Sequence, residues 1–403
     1  MASTTPSVRV VWDDRFTQYD FGETHPMNPV RLDLTTRLAR ALGVLDLPGV
    51  EVVGVDDEPD LDAFLTGVHS PDFVEAVKAA SLDPANADER FGLGTEDDPA
   101  FVGIHETSAR IAVATRDLCK AVWQGEIDHG VNYCGGMHHA MADRAAGFCI
   151  YNDAALGIRW LLDNGAERVA YIDVDVHHGD GVEQIFWNDP RVLTISVHET
   201  GRILFPGTGF PGDIGGPDAE GSAANLELPA GTGDAAWLRA IHAVVPSLVR
   251  AFKPQILVTQ QGCDSHYSDP LAHMAISIDA QRTAFETIHD LAHEVCDGRW
   301  VALGGGGYEL VDVVPRSWTH LTAIAAHKPI DLEAPVPQEW RDHVTERVGR
   351  PGPPRMGDGV AEGGHVWFRS WATGSDPDNP VDRAVMATRE AVFPHHGLDI
   401  WFD

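Results

Sequence analysis

The stretch Tyr171-Ile-Asp-Val-Asp-Val-His-His-Gly-Asp180 joins the apolar start of a strand to a dense group of metal-binding side chains. Asp173, Asp175 and His177 occupy alternate positions, which share one face of an extended chain. Buried carboxylates that lie side by side are costly unless a cation compensates their charge. A single Asp in such a loop would be an ordinary helix cap, whereas this density of acidic and imidazole groups predicts a divalent metal site.

Short apolar runs alternate with longer helical periods on both sides of this stretch. Apolar residues recur every three or four positions in three segments, which predicts helices there. The alternation predicts the α/β class, with a mostly parallel central sheet and helices on both of its faces. The predicted strands cover residues 8–12, 50–55, 169–174, 192–197, 256–259 and 300–303, and the predicted helices include residues 111–122, 238–252 (with a kink at Pro246) and 285–295.

A second predicted strand, Ile256-Leu-Val-Thr-Gln-Gln-Gly-Cys-Asp264, delivers another carboxylate after a glycine turn. Ligands of open α/β sheets collect at the carboxyl ends of the strands. Asp264 is therefore expected to converge with Asp175 and His177, although an Asp at such a position commonly caps a helix.

Two glycine-rich segments carry groups that suit acid–base and oxyanion chemistry. In Gly135-Gly-Met-His-His-Ala140, His138 and His139 follow a glycine turn, which favours general acid–base work beside a metal over a pair of core histidines. In Leu303-Gly-Gly-Gly-Gly-Tyr308, the glycines permit a close approach of the backbone. The tyrosine can then donate a hydrogen bond to a developing oxyanion, and a tyrosine that simply packs in a tight turn is the equally weighted alternative.

The bulk composition restricts the class of function. Among 403 residues, 61 Asp and Glu outnumber 29 Lys and Arg, and the net charge is -32. Nucleic-acid binding needs clustered positive charge and is therefore not expected. Five scattered cysteines without a Cys-x-x-Cys pair favour a reducing cytoplasm over a disulfide scaffold. Residues 1–14 lack a signal-peptide pattern and no apolar run approaches membrane-spanning length, so no membrane association is expected.

The chain is expected to form a single domain over residues 1–403. Its catalytic core would cover about residues 8–330, followed by an extension over residues 331–403. The part from 350 to 364 is rich in Gly and Pro and predicts a loop. The aromatic residues that predict packing of the extension on the core are Trp367, Trp371, Phe393 and Trp401.

In their order along the chain, these segments resemble the histone deacetylase family of the arginase-like fold. Within that family the chain is most similar to the bacterial acetoin-utilisation deacetylases, relatives of the class I enzymes. The similarity covers His25 to Tyr308 and continues more weakly to the C-terminus. Further matching pieces are His25-Pro-Met-Asn-Pro-Val-Arg31, Val68-His-Ser-Pro-Asp72, Gly147-Phe-Cys149, Ser196-Val-His198 and Phe205-Pro-Gly-Thr-Gly209.

The resemblance implies a metal-dependent amidohydrolase that removes acetyl groups from lysine-like amines. Zinc is the metal it implies, and ferrous iron, which accepts the same ligands, stays open. By position, Asp175, His177 and Asp264 match the metal ligands, His138 and His139 the paired acid–base histidines, Asp173 and Asp180 their carboxylate partners, and Tyr308 the tyrosine that stabilises the oxyanion.

The resemblance also implies a substrate tunnel and two internal sites. Arg31 matches an arginine of the region through which acetate leaves. Asp97 matches a carboxylate at the rim that holds the substrate backbone. The walls of the tunnel correspond to Gly147, Phe148 and Phe205, and Gly306 corresponds to a further substrate-binding residue. A structural potassium site corresponds to Asp173, Asp175, His177, Ser196 and Val197.

Several functions remain to be compared at this point. Acetylated lysine side chains of proteins are the leading substrates, and acetylated polyamines or other small amines require the same chemistry. A ureohydrolase is disfavoured because Gly179 and His266 occupy the two places where that branch carries second-metal aspartates. A binding module without catalytic activity is disfavoured because every matched catalytic position is retained.

Overall fold

A computed structural model describes residues 7–58, 60–361 and 363–403. Residues 1–6, Pro59 and Glu362 lie outside the described residues. The first six belong to the segment 1–14, in which no signal peptide is predicted. Within the described part, eight strands form one sheet: β1 (Val8–Val11), β2 (Val50–Val53), β3 (His129–Asn132), β4 (Val169–Asp173), β5 (Val192–Glu199), β6 (Ala223–Leu228), β7 (Ile256–Gln260) and β8 (Trp300–Leu303).

The strand order in this sheet is β2-β1-β3-β8-β7-β4-β5-β6. Every neighbouring pair is parallel, so the predicted α/β class is confirmed, with a sheet that is parallel throughout. All residues of β4 and β7 are buried. Because successive side chains of a strand point to opposite faces, both faces of the central sheet must be covered.

The helices of the described residues alternate with these strands. They are α1 (Val30–Ala41), α2 (Asp62–Leu65), α3 (Pro71–Leu82), α4 (Ile104–Trp123), α5 (Asp153–Asp163), α6 (Asp180–Ile185), α7 (Asp234–Phe252), α8 (Ile278–Cys296), α9 (Val314–Ala325), α10 (Gln338–Val348) and α11 (Pro380–Val392). None of them is both long and apolar enough to cross a membrane, as far as the described residues extend.

Local sequence signals account for the ends of the predicted helices. The Ser277 side chain accepts a hydrogen bond from the backbone N–H of Ala280 and caps the start of α8. This helix ends before Asp297 and Gly298, both of which have positive φ angles. The buried Pro246 lies inside α7, which continues to Phe252.

The C-terminal segment contacts the far edge of the sheet through α11, which packs against β6 and α7. The buried Asp382 carboxylate of α11 accepts hydrogen bonds of 2.8 and 2.9 Å from the Arg239 guanidinium of α7. Of the aromatic residues in this segment, Trp371 and Phe393 are buried. Trp367 and Trp401 are 80% and 54% exposed, so these two do not contribute the packing expected of them.

Candidate metal centre and active site

Four adjacent strands, β3, β8, β7 and β4, end at the same edge of the sheet and are each followed by a loop. Parallel strands direct all their carboxyl ends to one edge, which explains why distant segments meet there. In strand order, the loops carry His138 and His139, then Tyr308, then Asp264, then Asp175 and His177.

The three predicted metal ligands converge on one point. The Nδ1 atom of His177 lies 3.1 Å from Oδ2 of Asp264 and 3.2 Å from Oδ1 of Asp175. The three residues are buried and their ligand atoms lie within 4.8 Å of one another. One neutral nitrogen donor and two carboxylate donors at such spacing fit a catalytic zinc or another divalent cation.

The second oxygen of each carboxylate is held by the protein. Oδ2 of Asp175 accepts hydrogen bonds from Nε2 of Gln260, at 2.6 Å, and from the backbone N–H of Gly306, at 2.8 Å. Oδ1 of Asp264 accepts one from the backbone N–H of Val176, at 2.9 Å. These contacts orient the remaining oxygens towards His177, as the supporting contacts of a metal site do.

The electrostatics of this cluster favour a positive charge at its centre. Burial and the nearby charge of Asp175 raise the pKa of Asp264 to about 7. Although burial opposes it, the two carboxylates raise the pKa of His177 to about 10. A divalent cation would compensate both carboxylates at once, so the donor set fits the predicted metal.

The histidine pair is held by two separate carboxylates. The Nδ1 atoms of His138 and His139 lie 2.8 Å from Oδ2 of Asp173 and 2.7 Å from Oδ1 of Asp180, respectively. The two rings lie next to each other, with centroids 4.0 Å apart. Each carboxylate therefore orients one ring and leaves its Nε2 atom facing away from that carboxylate.

The two histidines have opposite preferences for a proton. Burial opposes a charge on His138, but Asp173 and Asp175 outweigh it and raise the pKa of this ring to about 9. Burial and the charge of His138 lower the pKa of His139 to about 4. At neutral pH the pair thus combines one cationic ring with one neutral ring, which suits the neutral ring for a general base.

A buried carboxylate that the sequence did not single out shapes the turn before these histidines. Asp153, the first residue of α5, accepts hydrogen bonds from the backbone N–H groups of Gly136 and Met137. An Asp at the start of a helix looks like an ordinary cap, so no local signal indicates this second task.

The loop after β8 brings Tyr308 beside the metal ligands. Its backbone N–H donates a 2.8 Å hydrogen bond to Oδ2 of Asp269, another residue that the sequence did not single out. Burial and the charges of Asp264 and Asp175 raise the pKa of the Tyr308 phenol well above its usual value, so it keeps its proton. A Cβ atom at Gly306 would overlap Oδ2 of Asp264, so the loop needs glycine to approach this closely.

The residues expected around the substrate lie on either side of the centre. The Phe205 ring, 46% exposed, packs edge-on against His139, and the Phe148 ring packs edge-on against Tyr308. Gly147 has a positive φ angle, and a Cβ atom there would overlap the His139 ring. Oδ2 of Asp97 accepts a 2.7 Å hydrogen bond from the Gly147 backbone, so one of its two oxygens already serves the protein itself.

Arg31 contacts the loop that carries Tyr308, and the residues expected to bind potassium lie on β4, the loop after it and β5. Nη1 of Arg31 is buried and donates hydrogen bonds to the carbonyl oxygens of Gly305 and Gly307, at 2.9 and 3.0 Å. Asp173 of β4 is the register partner of Ser196 in β5, which brings the two predicted potassium segments together. The remaining expected ligands, Asp175, His177 and Val197, belong to the same two segments.

The two positions that distinguish ureohydrolases hold no second metal ligand. A Cβ atom on Gly179 would overlap Oδ2 of Asp173, so an aspartate has no space there. The ring nitrogens of His266 lie 2.8 Å from Oγ of Ser268 and 2.9 Å from Oδ2 of Asp358. Both nitrogens of His266 are therefore engaged away from the centre.

The sequence similarities agree with this geometry. Residues 25–325 match the histone deacetylase domain. The acetoin utilization protein AcuC of Bacillus subtilis (strain 168) is 38% identical over 332 residues, 82% of this chain and 84% of the relative. The AcuC proteins of Staphylococcus aureus (strain MSSA476) and Staphylococcus xylosus are 36% and 34% identical, over 82% and 84% of this chain and 84% and 88% of the relatives. The predicted resemblance is confirmed.

Proposed function

The chain belongs to the histone deacetylase family, and from this premise we propose that it is a zinc-dependent deacetylase of acetylated lysine side chains in proteins. The observation that carries the proposal is the convergence of three buried metal donors, two carboxylate-paired histidines and one tyrosine. Two histidines paired with carboxylates beside three metal donors suit hydrolysis by a metal-activated water.

Asp175, His177 and Asp264 would hold the metal. When bound, a zinc ion supplies Lewis acidity for the acetamide carbonyl and lowers the pKa of water. Ferrous iron suits the same donors, and the choice between the two metals depends on geometry and availability. The supporting hydrogen bonds from Gln260 and Gly306 to Asp175 favour a preformed site.

The protein's own residues would move the protons and stabilise charge. His139 is neutral, and its Nε2 atom would accept a proton from the attacking water and return it to the departing amine. The cationic His138 ring beside it would stabilise the negative charge that develops. The protonated phenol of Tyr308 would donate a hydrogen bond to the same oxyanion. Acetate and the free amine would be the products.

The preference for protein substrates rests on the surface around the site. Phe148 and Phe205 would contact the alkyl stem of the substrate. A cavity of 840 Å³ borders Phe205 and would accept residues that flank the acetyl-lysine. The Asp97 carboxylate would accept a hydrogen bond from a substrate backbone. Acetylated polyamines, which lack flanking residues, are the second candidate because the deep site treats both acetamides alike.

The remaining parts of the proposal concern the context of the enzyme. The five cysteines of the chain are buried and free, which supports a reducing cytoplasm.

The contacts of α11 with β6 and α7 support one domain over residues 1–403, with residues 331–403 packed on the core over about 8–330. A structural potassium ion at Asp173, Asp175, His177, Ser196 and Val197, and acetate release past Arg31, complete the proposal.

Acetate release by metal-stripped protein, before and after zinc is added back, tests the proposed reaction. Zinc should restore turnover, and Tyr308→Phe should lower kcat by about 10²–10³-fold. Tyr267→Phe, which alters a tyrosine that is 59% exposed, is the control and should keep full activity. No acetate from folded, zinc-loaded protein with any acetylated amine would contradict the reaction.

Three substrates in parallel separate the two substrate classes: free acetyl-lysine, acetyl-lysine within a short peptide, and acetylputrescine. A higher kcat/KM for the peptide than for free acetyl-lysine is expected if flanking residues bind beside Phe205. A higher kcat/KM for acetylputrescine than for the peptide would reject the protein substrate and leave the same reaction on small amines.

A further inference from the structure

Four histidines meet at the opposite edge of the sheet, near the amino ends of its strands. His129 is the first residue of β3, His289 and His293 lie one turn apart on α8, and His327 follows the end of α9. The Nε2 atom of His129 lies 3.0 Å from that of His327 and 3.2 Å from that of His293. The Nε2 atom of His289 lies 3.2 Å from that of His293 and 3.3 Å from that of His327.

The four rings are arranged almost as a regular tetrahedron. The six distances between their centroids fall between 4.5 and 5.2 Å. Four imidazole nitrogens around a tetrahedral zinc ion, each about 2.0–2.1 Å from it, would be about 3.3–3.4 Å from one another. The four separations between Nε2 atoms given above lie at or slightly below this value.

Hydrogen bonds among the rings cannot account for this arrangement. The Nε2 atom of a neutral imidazole is either a donor or an acceptor, never both. At most two of the four short contacts can therefore contain a proton, and the other two would bring nitrogens together with no proton between them. A cation at the centre satisfies all four nitrogens at once.

The surroundings of the cluster include an open side and one nearby carboxylate. His293 and His327 are exposed, which gives an ion a route from solvent. Oδ1 of Asp290, on a largely exposed side chain, lies 3.6 Å from Nδ1 of His289.

We propose that His129, His289, His293 and His327 form a second zinc site, separate from the deacetylase centre. Four protein nitrogens fill a tetrahedral coordination shell and leave no open position, which is the pattern of a structural rather than a catalytic zinc. The ion would join β3, α8 and the segment after α9.

Zinc content per chain tests the site in full-length protein without a histidine tag. After dialysis, the wild-type protein is expected to hold two zinc ions per chain. The variant H289A/H293A should lose one of them and Asp264→Asn should lose the other. H343A/H365A, which removes two histidines outside the cluster, should retain both. If H289A/H293A holds as much zinc per chain as the wild-type protein, the proposal is overturned.

A second measurement on the wild-type protein does not depend on the folding of any variant. Crystals measured on the two sides of the zinc absorption edge should show an anomalous peak between the four Nε2 atoms. Dialysed, zinc-loaded crystals with a peak only at Asp264 would overturn the second site and leave the deacetylase centre intact. A peak only among the histidines would instead support the second site and contradict zinc at the deacetylase centre.

Discussion

Nδ1 of His139 lies 2.7 Å from Oδ1 of Asp180, and this contact fixes which nitrogen of the ring is available for proton transfer. The carboxylate holds the Nδ1 proton, so the lone pair is on Nε2. Replacement of Asp180 by Asn should lower kcat about 10–100-fold. The Asn side-chain amide can donate a hydrogen bond to Nδ1 of His139, which favours the tautomer with the proton on Nε2. Steady-state kinetics with an acetyl-lysine peptide measure the effect, and Asp163→Asn on the surface is the control. An unchanged kcat would remove Asp180 from the proposed mechanism.

Gly306→Ala should weaken zinc binding at the deacetylase centre about 10–100-fold, because the new methyl group must displace the Asp264 carboxylate. Competition with a chelator measures the affinity. Gly212→Ala is the matched control, since a Cβ atom there has no neighbour within 4 Å. Equal zinc affinity in the two variants would contradict the assignment of Asp264 as a ligand.

Asp382→Ala should lower the free energy of unfolding by about 3–5 kcal/mol, because it leaves the buried Arg239 guanidinium without its carboxylate partner and with only two carbonyl oxygens as acceptors. Denaturant unfolding measures the loss. Glu294→Ala breaks a pair with Arg250 in which both side chains are about half exposed, and it should cost at most about 1 kcal/mol. Similar losses in the two variants would show that burial of the Arg239 pair has no special effect.

His69 should make the protein less stable as the pH falls from about 6.5 towards 4. Its Nδ1 atom lies 3.0 Å from the carbonyl oxygen of Met141, and its Nε2 atom accepts a hydrogen bond from the backbone N–H of Asn152. Burial lowers the pKa of this ring to about 4, so the unfolded chain binds a proton that the folded chain rejects. The loss is about 1.4 kcal/mol per pH unit within this window and absent above it.

Thermal unfolding between pH 7 and 4 measures this dependence. His69→Gln, which cannot titrate, should reduce the slope of stability against pH, whereas His365→Gln on the surface should leave the slope as in the wild-type protein. A slope that is the same in all three proteins would exclude His69 as its source.

The sequence predicted the fold and the convergence of the metal donors because each of these donors follows a buried, strongly apolar strand. Asp175, His177 and Asp264 stand where such strands end, and the sheet brings those ends together. The strands β3 and β6 were not predicted, because His-Gly-Val-Asn and Ala-Ala-Asn-Leu-Glu-Leu lack a run of β-branched residues. Their pairing depends on neighbours that are distant in the sequence.

The supporting residues could not be predicted for a related reason. Gln260 ends a strand, Asp153 begins a helix and Asp269 lies in a loop, and each is ordinary in its local context. Their tasks are defined only by the partners that they meet across the fold. The spacing of four residues between His289 and His293 is a local sign of the histidine cluster. It does not indicate His129, which lies 160 residues before His289.

The glycines around the centre cannot be replaced by larger residues without displacing their neighbours. Side chains are excluded at Gly147, Gly179 and Gly306 because His139, Asp173 and Asp264 occupy the adjacent space. Saturation mutagenesis of these three glycines should therefore find almost no tolerated substitutions. Phe205, by contrast, is nearly half exposed, and its ring meets His139 and His177 only in edge-on contacts. Directed evolution towards longer or bulkier acyl groups should begin at Phe205, because substitutions there displace fewer buried side chains than substitutions at the glycines.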